Sequence, residues 1–250
     1  MSYMPFVIVS ILAVCLGQVT KHLNKKMPPL VAEEISFKEF KQSFFKDFKI
    51  DIVYSIIYLV IFNMIIYFLG NNITSYLYIF MCLPLTITFV IDYKYQLIPD
   101  TVHIFILLLG IINFICNINM WWDFLLGAVI GGGIFWGLGL LALLIFKKEG
   151  MGFGDVKLMA ALGFFFGIKY TLVITLVSFF LGAIIGGALI ITKKKDADGY
   201  IPFGPFIVIA TVLLMFIPAD YIIEIYITFC SWLGMKMSDA VYFVSECFRK

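Results

Sequence analysis

Apolar residues run along this chain in long unbroken stretches, neither alternating as in a half-buried strand nor recurring every three or four positions as on a surface helix. The stretches cover roughly 4–20, 52–69, 74–91, 101–118, 124–145, 155–167, 170–192 and 203–218. A helix needs about 17–25 apolar residues to cross the hydrocarbon core of a bilayer. Most stretches reach that length, and only the sixth is clearly short. Strands are excluded, because membrane strands alternate and backbone groups in lipid must be paired internally. The pattern therefore predicts an all-α polytopic integral membrane protein of about eight transmembrane helices. It divides into residues 1–51, the first helix and a polar loop; 52–220, a transmembrane core; and 221–250, a tail. Residues 221–247 fit either a further span or a helix lying along the surface.

Composition agrees: 62% of residues are hydrophobic, 14% are charged, and the mean hydropathy is +1.03. An ordinary soluble domain is excluded. The net charge of +2 says little, but the lysines are unevenly placed. Lys21, Lys25, Lys26, Lys38, Lys41, Lys46 and Lys49 fall in the first loop, Lys94 in the third, Lys147 and Lys148 in the fifth, and Lys193, Lys194 and Lys195 in the seventh. Lys169 alone falls in an even-numbered loop. Lysine is retained on the cytoplasmic side, so the N-terminus is expected outside and the odd loops in the cytoplasm. Trp121 and Trp122 then sit at the outer interface. The first stretch lacks a basic flank and a small-residue cleavage site, so it is expected to remain as a helix.

Residues 33–49, EEISFKEFKQSFFKDFK, place Phe37, Phe40, Phe44 and Phe48 at helical spacing between lysines, as an amphipathic helix lying on an anionic leaflet does. The lipid bilayer is thus an expected partner, calmodulin-like targeting being the weaker alternative for this segment, and no nucleic-acid partner is expected. Gly127/Gly131, Gly133/Gly137, Gly163/Gly167 and Gly182/Gly186 repeat the G-x-x-x-G spacing of close helix packing. Cys15, Cys82, Cys116, Cys230 and Cys247 form no C-x-x-C pair and read as packing residues, with no metal site implied. His22 and His103 lack metal-binding partners and read as structural. Asn72-Ile73-Thr74 matches a glycosylation acceptor by chance in a short loop.

Ionisable groups at membrane depth are costly unless paired or facing water, so they mark function. Asp123 follows the tryptophan pair and begins the fifth helix. Asp100, in IPDTV, has the position of an N-cap for the fourth helix, with a direct part in a site as the alternative. Asp92 closes the third helix after TITFVI, at a C-terminus whose dipole disfavours a negative charge. Asp155, in GMGFGDVK, opens a helix, where free N–H groups favour one. Both are at cytoplasmic ends by the lysine argument. Such a pair can share one proton, one carboxylate acting as base on water and the other bonding a scissile carbonyl oxygen. A proton relay in a transporter is the other use the spacing leaves open.

Three segments carry more. IDYKYQLIPD, EGMGFGDVKLMAALGFFFG and IPFGPF resemble, in that order, the signatures of the type IV prepilin peptidases, bacterial enzymes of the intramembrane GxGD aspartyl protease class. The resemblance covers roughly residues 52–218. It implies Asp92 and Asp155 as the catalytic dyad, with Gly152, Gly154 and Lys157 in the second motif. It implies that Pro202, Gly204 and Pro205 shape a substrate groove, where the bland reading is the broken start of the eighth helix; Asp100 is a supporting candidate. It further implies type IV prepilin or pseudopilin substrates, cut after a glycine just behind a short basic leader on the cytoplasmic face of the inner membrane. The N-terminal third departs from the family: CLGQVTKHLNKKMPPL keeps only Gly17 of the usual segment, and the family's cysteine tetrad is absent. No cofactor is then expected for proteolysis, and S-adenosylmethionine only if a methyltransferase activity is retained. Another GxGD protease, such as a preflagellin peptidase, is the alternative enzyme. Oligomeric state is open.

Overall fold

The computed structural model describes residues 3–32, 52–147, 151–192 and 201–232. Among them the protein is helical throughout, with no strand. The helices are α1 (Met4–Ala32), α2 (Ile52–Leu69), α3 (Ile73–Tyr95), α4 (Asp100–Cys116), a short 3-10 turn (Ile118–Met120), α5 (Trp121–Phe146), α6 (Phe153–Ile191) and α7 (Gly204–Phe216). An eighth, α8 (Ala219–Trp232), belongs to a second compact unit beginning at Ile217. The amphipathic stretch 33–49, Lys148, Lys193 to Lys195, Cys247 and the tail beyond 232 lie outside the described residues.

All the apolar runs are helical, and the helices differ in whether length and composition alone qualify them as spans. Five described helices are long and apolar enough to cross a membrane, or six if α7 and α8 together make one. The 17 residues of α4 rise only about 25 Å at 1.5 Å per residue. The 39 residues of α6 are far more than one crossing needs, and the helix is broken at Gly167, with φ 78° and ψ 178°. Packing on α5 shows what the break does. Gly127 abuts Gly163 and Gly167, while Gly131 abuts both Met159 and Thr171; Phe135 meets Phe179. Along α5 the contacts therefore descend through the first arm of α6 and ascend through the second. The helix is a hairpin, both arms lying on α5.

Asp123 explains why the break is stable. Its Oδ1 accepts the N–H of Ile168 at 3.1 Å, one of the donors a new helix start leaves unpaired. A Cβ at position 167 would collide with the same carboxylate. Asp123 thus caps the second arm of α6 as well as opening α5.

Of the glycine pairs, Gly127/Gly131 and Gly163 sit in backbone contact, and Gly182 and Gly186 face Phe203 and Ile201. Gly133 and Gly137 differ from expectation: nothing lies within 4 Å of where their Cβ atoms would be. They fall on an exposed face of α5, beside Val129, Trp136 and Leu144, which are also exposed. The cysteines also differ, since Cys82 is buried but Cys15, Cys116 and Cys230 are exposed and fill no core. Asn72 has a structural use: its Oδ1 accepts the Ser75 N–H at 2.8 Å and caps α3.

Gly17 brings α1 against α2, since a Cβ there would lie 2.8 Å from Ser55 Oγ and 2.9 Å from its main-chain N. Thr20 Oγ1 and the Tyr58 hydroxyl, 2.8 Å apart, tie the same helices together. Tyr78 of α3 packs on Phe165 and Phe166 beside the turn of α6. From that level α3 runs to Asp92 while the first arm of α6 runs back to Asp155, so both acids arrive at the same end of the bundle.

Candidate active site

Asp92 lies in the last turn of α3. The helix stops at Gln96, left-handed at φ 55° and ψ 39°, whose N–H returns to the Asp92 carbonyl at 2.9 Å. The Asp92 side chain is buried and its Oδ2 accepts the main-chain N–H of Gly204 at 2.9 Å. Gly204 is the first residue of α7. The unfavourable field at the end of α3 is therefore countered by a helix N-terminus arriving from another part of the chain. Only glycine fits there, because a Cβ would stand 2.6 Å from Oδ2 and 3.1 Å from Cγ of Asp92.

The IPFGPF segment is held by its aromatic residue. The Phe203 ring packs on Phe135, Phe179 and Phe206, and lies 3.0 Å from the Cβ position of Gly182. Pro202 and Pro205 are buried on either side. Pro205 falls in the first turn of α7, where its missing N–H leaves no helical bond unmade. Phe203 escaped the sequence reading, because nothing in its immediate neighbours tells a packing phenylalanine from an anchoring one.

Asp155 sits in the first turn of α6, its N–H bonded to the Gly152 carbonyl at 3.1 Å. The side chain is buried, and Oδ1 has no hydrogen-bond partner among the described residues. Asp92 is near enough for the two carboxyls to interact electrostatically. Gly154 is tight against Ile98, with its Cβ position 3.2 Å from Ile98 Cβ; a side chain there would push the α3–α4 loop outward.

The remaining candidates lie apart from the acid pair. Pro99, not Asp100, is the N-cap of α4, and no side chain caps that helix. Asp100 occupies the first helical position, where Lys157 Nζ approaches its Oδ1 at 2.7 Å. Lys157 of the second motif is thus engaged with Asp100, and its Nζ lies 5.4 Å over the Phe153 ring. Both partners are solvent-accessible, at 42% for Lys157 and 70% for Asp100, which limits what the pair contributes to stability. Between this pair and the G-x-G-D turn stands buried His103, whose Nε2 is 3.1 Å from the Gly154 carbonyl oxygen.

Comparison with known proteins places the chain. The profile of the type IV leader peptidase family matches residues 78–187, a span that holds both acids. Leader peptidase HopD of Escherichia coli is 36% identical over 142 residues, which make up 54% of this chain and 88% of that protein. The chain belongs to the type IV leader peptidase family. Other members of similar sequence are the prepilin leader peptidase/N-methyltransferases of Xanthomonas campestris pv. campestris, 38% identical over 127 residues, and of Pseudomonas aeruginosa, 35% identical over 143. Those matches take in 50% and 57% of this chain, but only 44% and 49% of the relatives, so the chain spans about half their length. No solved structure matches the chain.

Proposed function

We propose that this family member is an intramembrane aspartyl endopeptidase of the bacterial inner membrane, removing the short basic leader of type IV prepilin-like proteins after a glycine at the cytoplasmic face. The observation that carries the reading is the buried acid pair, with Asp92 under the Gly204 N–H and Asp155 Oδ1 buried without a hydrogen-bond partner among the described residues, an acceptor left for a reacting group. Two carboxylates sharing one proton can hydrolyse a peptide without a metal ion. The Gly204 N–H favours the anion on Asp92, which makes Asp92 the base and Asp155 the acid. Asp92 takes a proton from water as the hydroxyl adds to the scissile carbonyl carbon, while Asp155 hydrogen-bonds and protonates the carbonyl oxygen. When the resulting diol collapses, a proton passes to the leaving nitrogen, the C–N bond breaks and a carboxyl remains on the leader.

The relatives' names support prepilins as the substrate class, and the apolar helices support the bilayer as the setting. Hydrolysis of this kind needs no cofactor. S-adenosylmethionine would enter only through methyl transfer, an activity named for relatives of which this chain matches less than half. The reading assigns cleavage; N-methylation of the new N-terminus is the additional activity that the relatives' names raise. The test is to incubate the purified protein in detergent with a prepilin and weigh the product. The expected mass lacks the leader; an untouched prepilin would overturn the peptidase reading, and an added methyl group on the product would assign the methyltransferase activity to this chain as well. Movement of a pH-sensitive dye in proteoliposomes, without cleavage, would point to a proton-coupled carrier instead.

A further inference from the structure

We propose that His103 is a positioning residue for Asp155, holding the G-x-G-D turn by donating its Nε2 hydrogen to the Gly154 carbonyl; the inference rests on the acid-pair reading above. A carbonyl oxygen can only accept, so at 3.1 Å the ring nitrogen must be the donor. The bond falls on the peptide unit that joins Gly154 to Asp155. The N–H of that same unit is bonded to the Gly152 carbonyl at 3.1 Å. Its two ends are therefore held from opposite sides, which fixes the plane from which the Asp155 side chain departs.

The need for an outside hold is local. Gly152 and Gly154 flank Phe153 and leave this part of the chain with more backbone freedom than any other residue type would. His103 is 5% exposed, and burying an imidazole among apolar helices is unfavourable unless it forms a hydrogen bond. A leucine would pack in its place without that cost, so the polar ring marks the bond it makes. On its other side, Nδ1 lies 3.4 Å from Asp100 Oδ1, which Lys157 holds. The first turn of α4 is thereby joined to the first turn of α6 at two points, Gly154 and Lys157. A deeper clamp and a surface one act together.

Steady-state cleavage of a prepilin by H103Q, H103N and H103L tests this. The glutamine amide nitrogen is as many bonds from Cβ as Nε2 and can reach Gly154; the asparagine nitrogen falls short. Loosening the turn should lower kcat of H103N and H103L by about 10- to 100-fold, since small displacements of a reacting group are enough. KM should stay within roughly twofold of wild type, because the bond bears on chemistry and not on substrate binding. H103Q should keep most of the wild-type kcat. If H103L fails to insert or melts early, the Gln/Asn contrast decides alone. H103N as active as wild type, or H103Q no better than H103N, overturns the positioning role while leaving the peptidase reading intact. A wild-type protein inactive on prepilins overturns both.

Discussion

At Gly204 the lack of a side chain is what lets a main-chain N–H reach Asp92. Gly204→Ala should therefore act on chemistry. Its added methyl must push either α7 or the carboxyl aside, and a shift of this size is expected to lower the cleavage rate by about 100-fold. Comparing kcat with thermal stability in detergent checks that the loss is not unfolding. The acids themselves should behave as one unit. Asp92→Asn and Asp155→Asn should each abolish cleavage, and the double variant should be no worse than either. Asp→Glu should fail at both positions for reasons of geometry. A well-inserted Asp92→Asn variant that still processed prepilin at the wild-type rate would falsify the assignment. Asp100→Asn and Lys157→Met break an accessible ion pair, with the 3.4 Å contact of Asp100 to His103 Nδ1 and the approach of Lys157 to Phe153 beside it, and should leave stability little changed.

Among the helices, the hairpin of α6 is the feature whose failure should be most costly. Gly167 has a backbone conformation that is essentially reserved for glycine, and its Cβ position is occupied by Asp123. Gly167→Ala should destabilise the protein by at least about 1–3 kcal/mol, the usual cost of a strained residue. Gly163→Leu should prevent α5 from closing on the hairpin altogether, because Gly163 and Gly127 meet through their backbones. Gly133→Ala, by contrast, meets open space and should be silent. Asp123→Ala removes a cap worth about 1 kcal/mol, whereas Asp123→Asn keeps an acceptor oxygen and should be nearly neutral. Melting temperatures of the set in one detergent would order them; a Gly133→Ala variant as unstable as Gly163→Leu would contradict the packing described.

For the whole molecule, lysine placement and the acid pair make a joint prediction. A reporter active only outside the cytoplasm should be silent when fused after Lys148 or Lys195, and active after Asn117. The reverse pattern would put the acids on the wrong side for a cytoplasmic leader. Chelators should leave cleavage unchanged, since the proposed mechanism uses two carboxylates and water. Loss of activity that returns on adding zinc would count against it.

Much of this is local in the sequence. An apolar run of bilayer length must be helical wherever it lies, because its backbone groups have no other partners in lipid. Hence the apolar parts of the helices are legible from hydropathy, although α1 continues past the run at 4–20 through polar residues to Ala32, and Asp92 and Asp155 stand out as acids in a chain with few charges. What could not be read is whatever depends on which surfaces meet. Gly127/Gly131 and Gly133/Gly137 have the same spacing, yet only the first pair faces another backbone. The turn at Gly167 needs Asp123, 45 residues from Ile168 in the chain, to accept the N–H it frees. The Gly204 N–H that answers the charge on Asp92 comes from 112 residues away. His103 finds Gly154 across 51. Hydropathy reports the solvent each residue prefers, and that preference fixes the helices; the identity of the partner across a helix interface is set by packing geometry, which only the assembled bundle supplies.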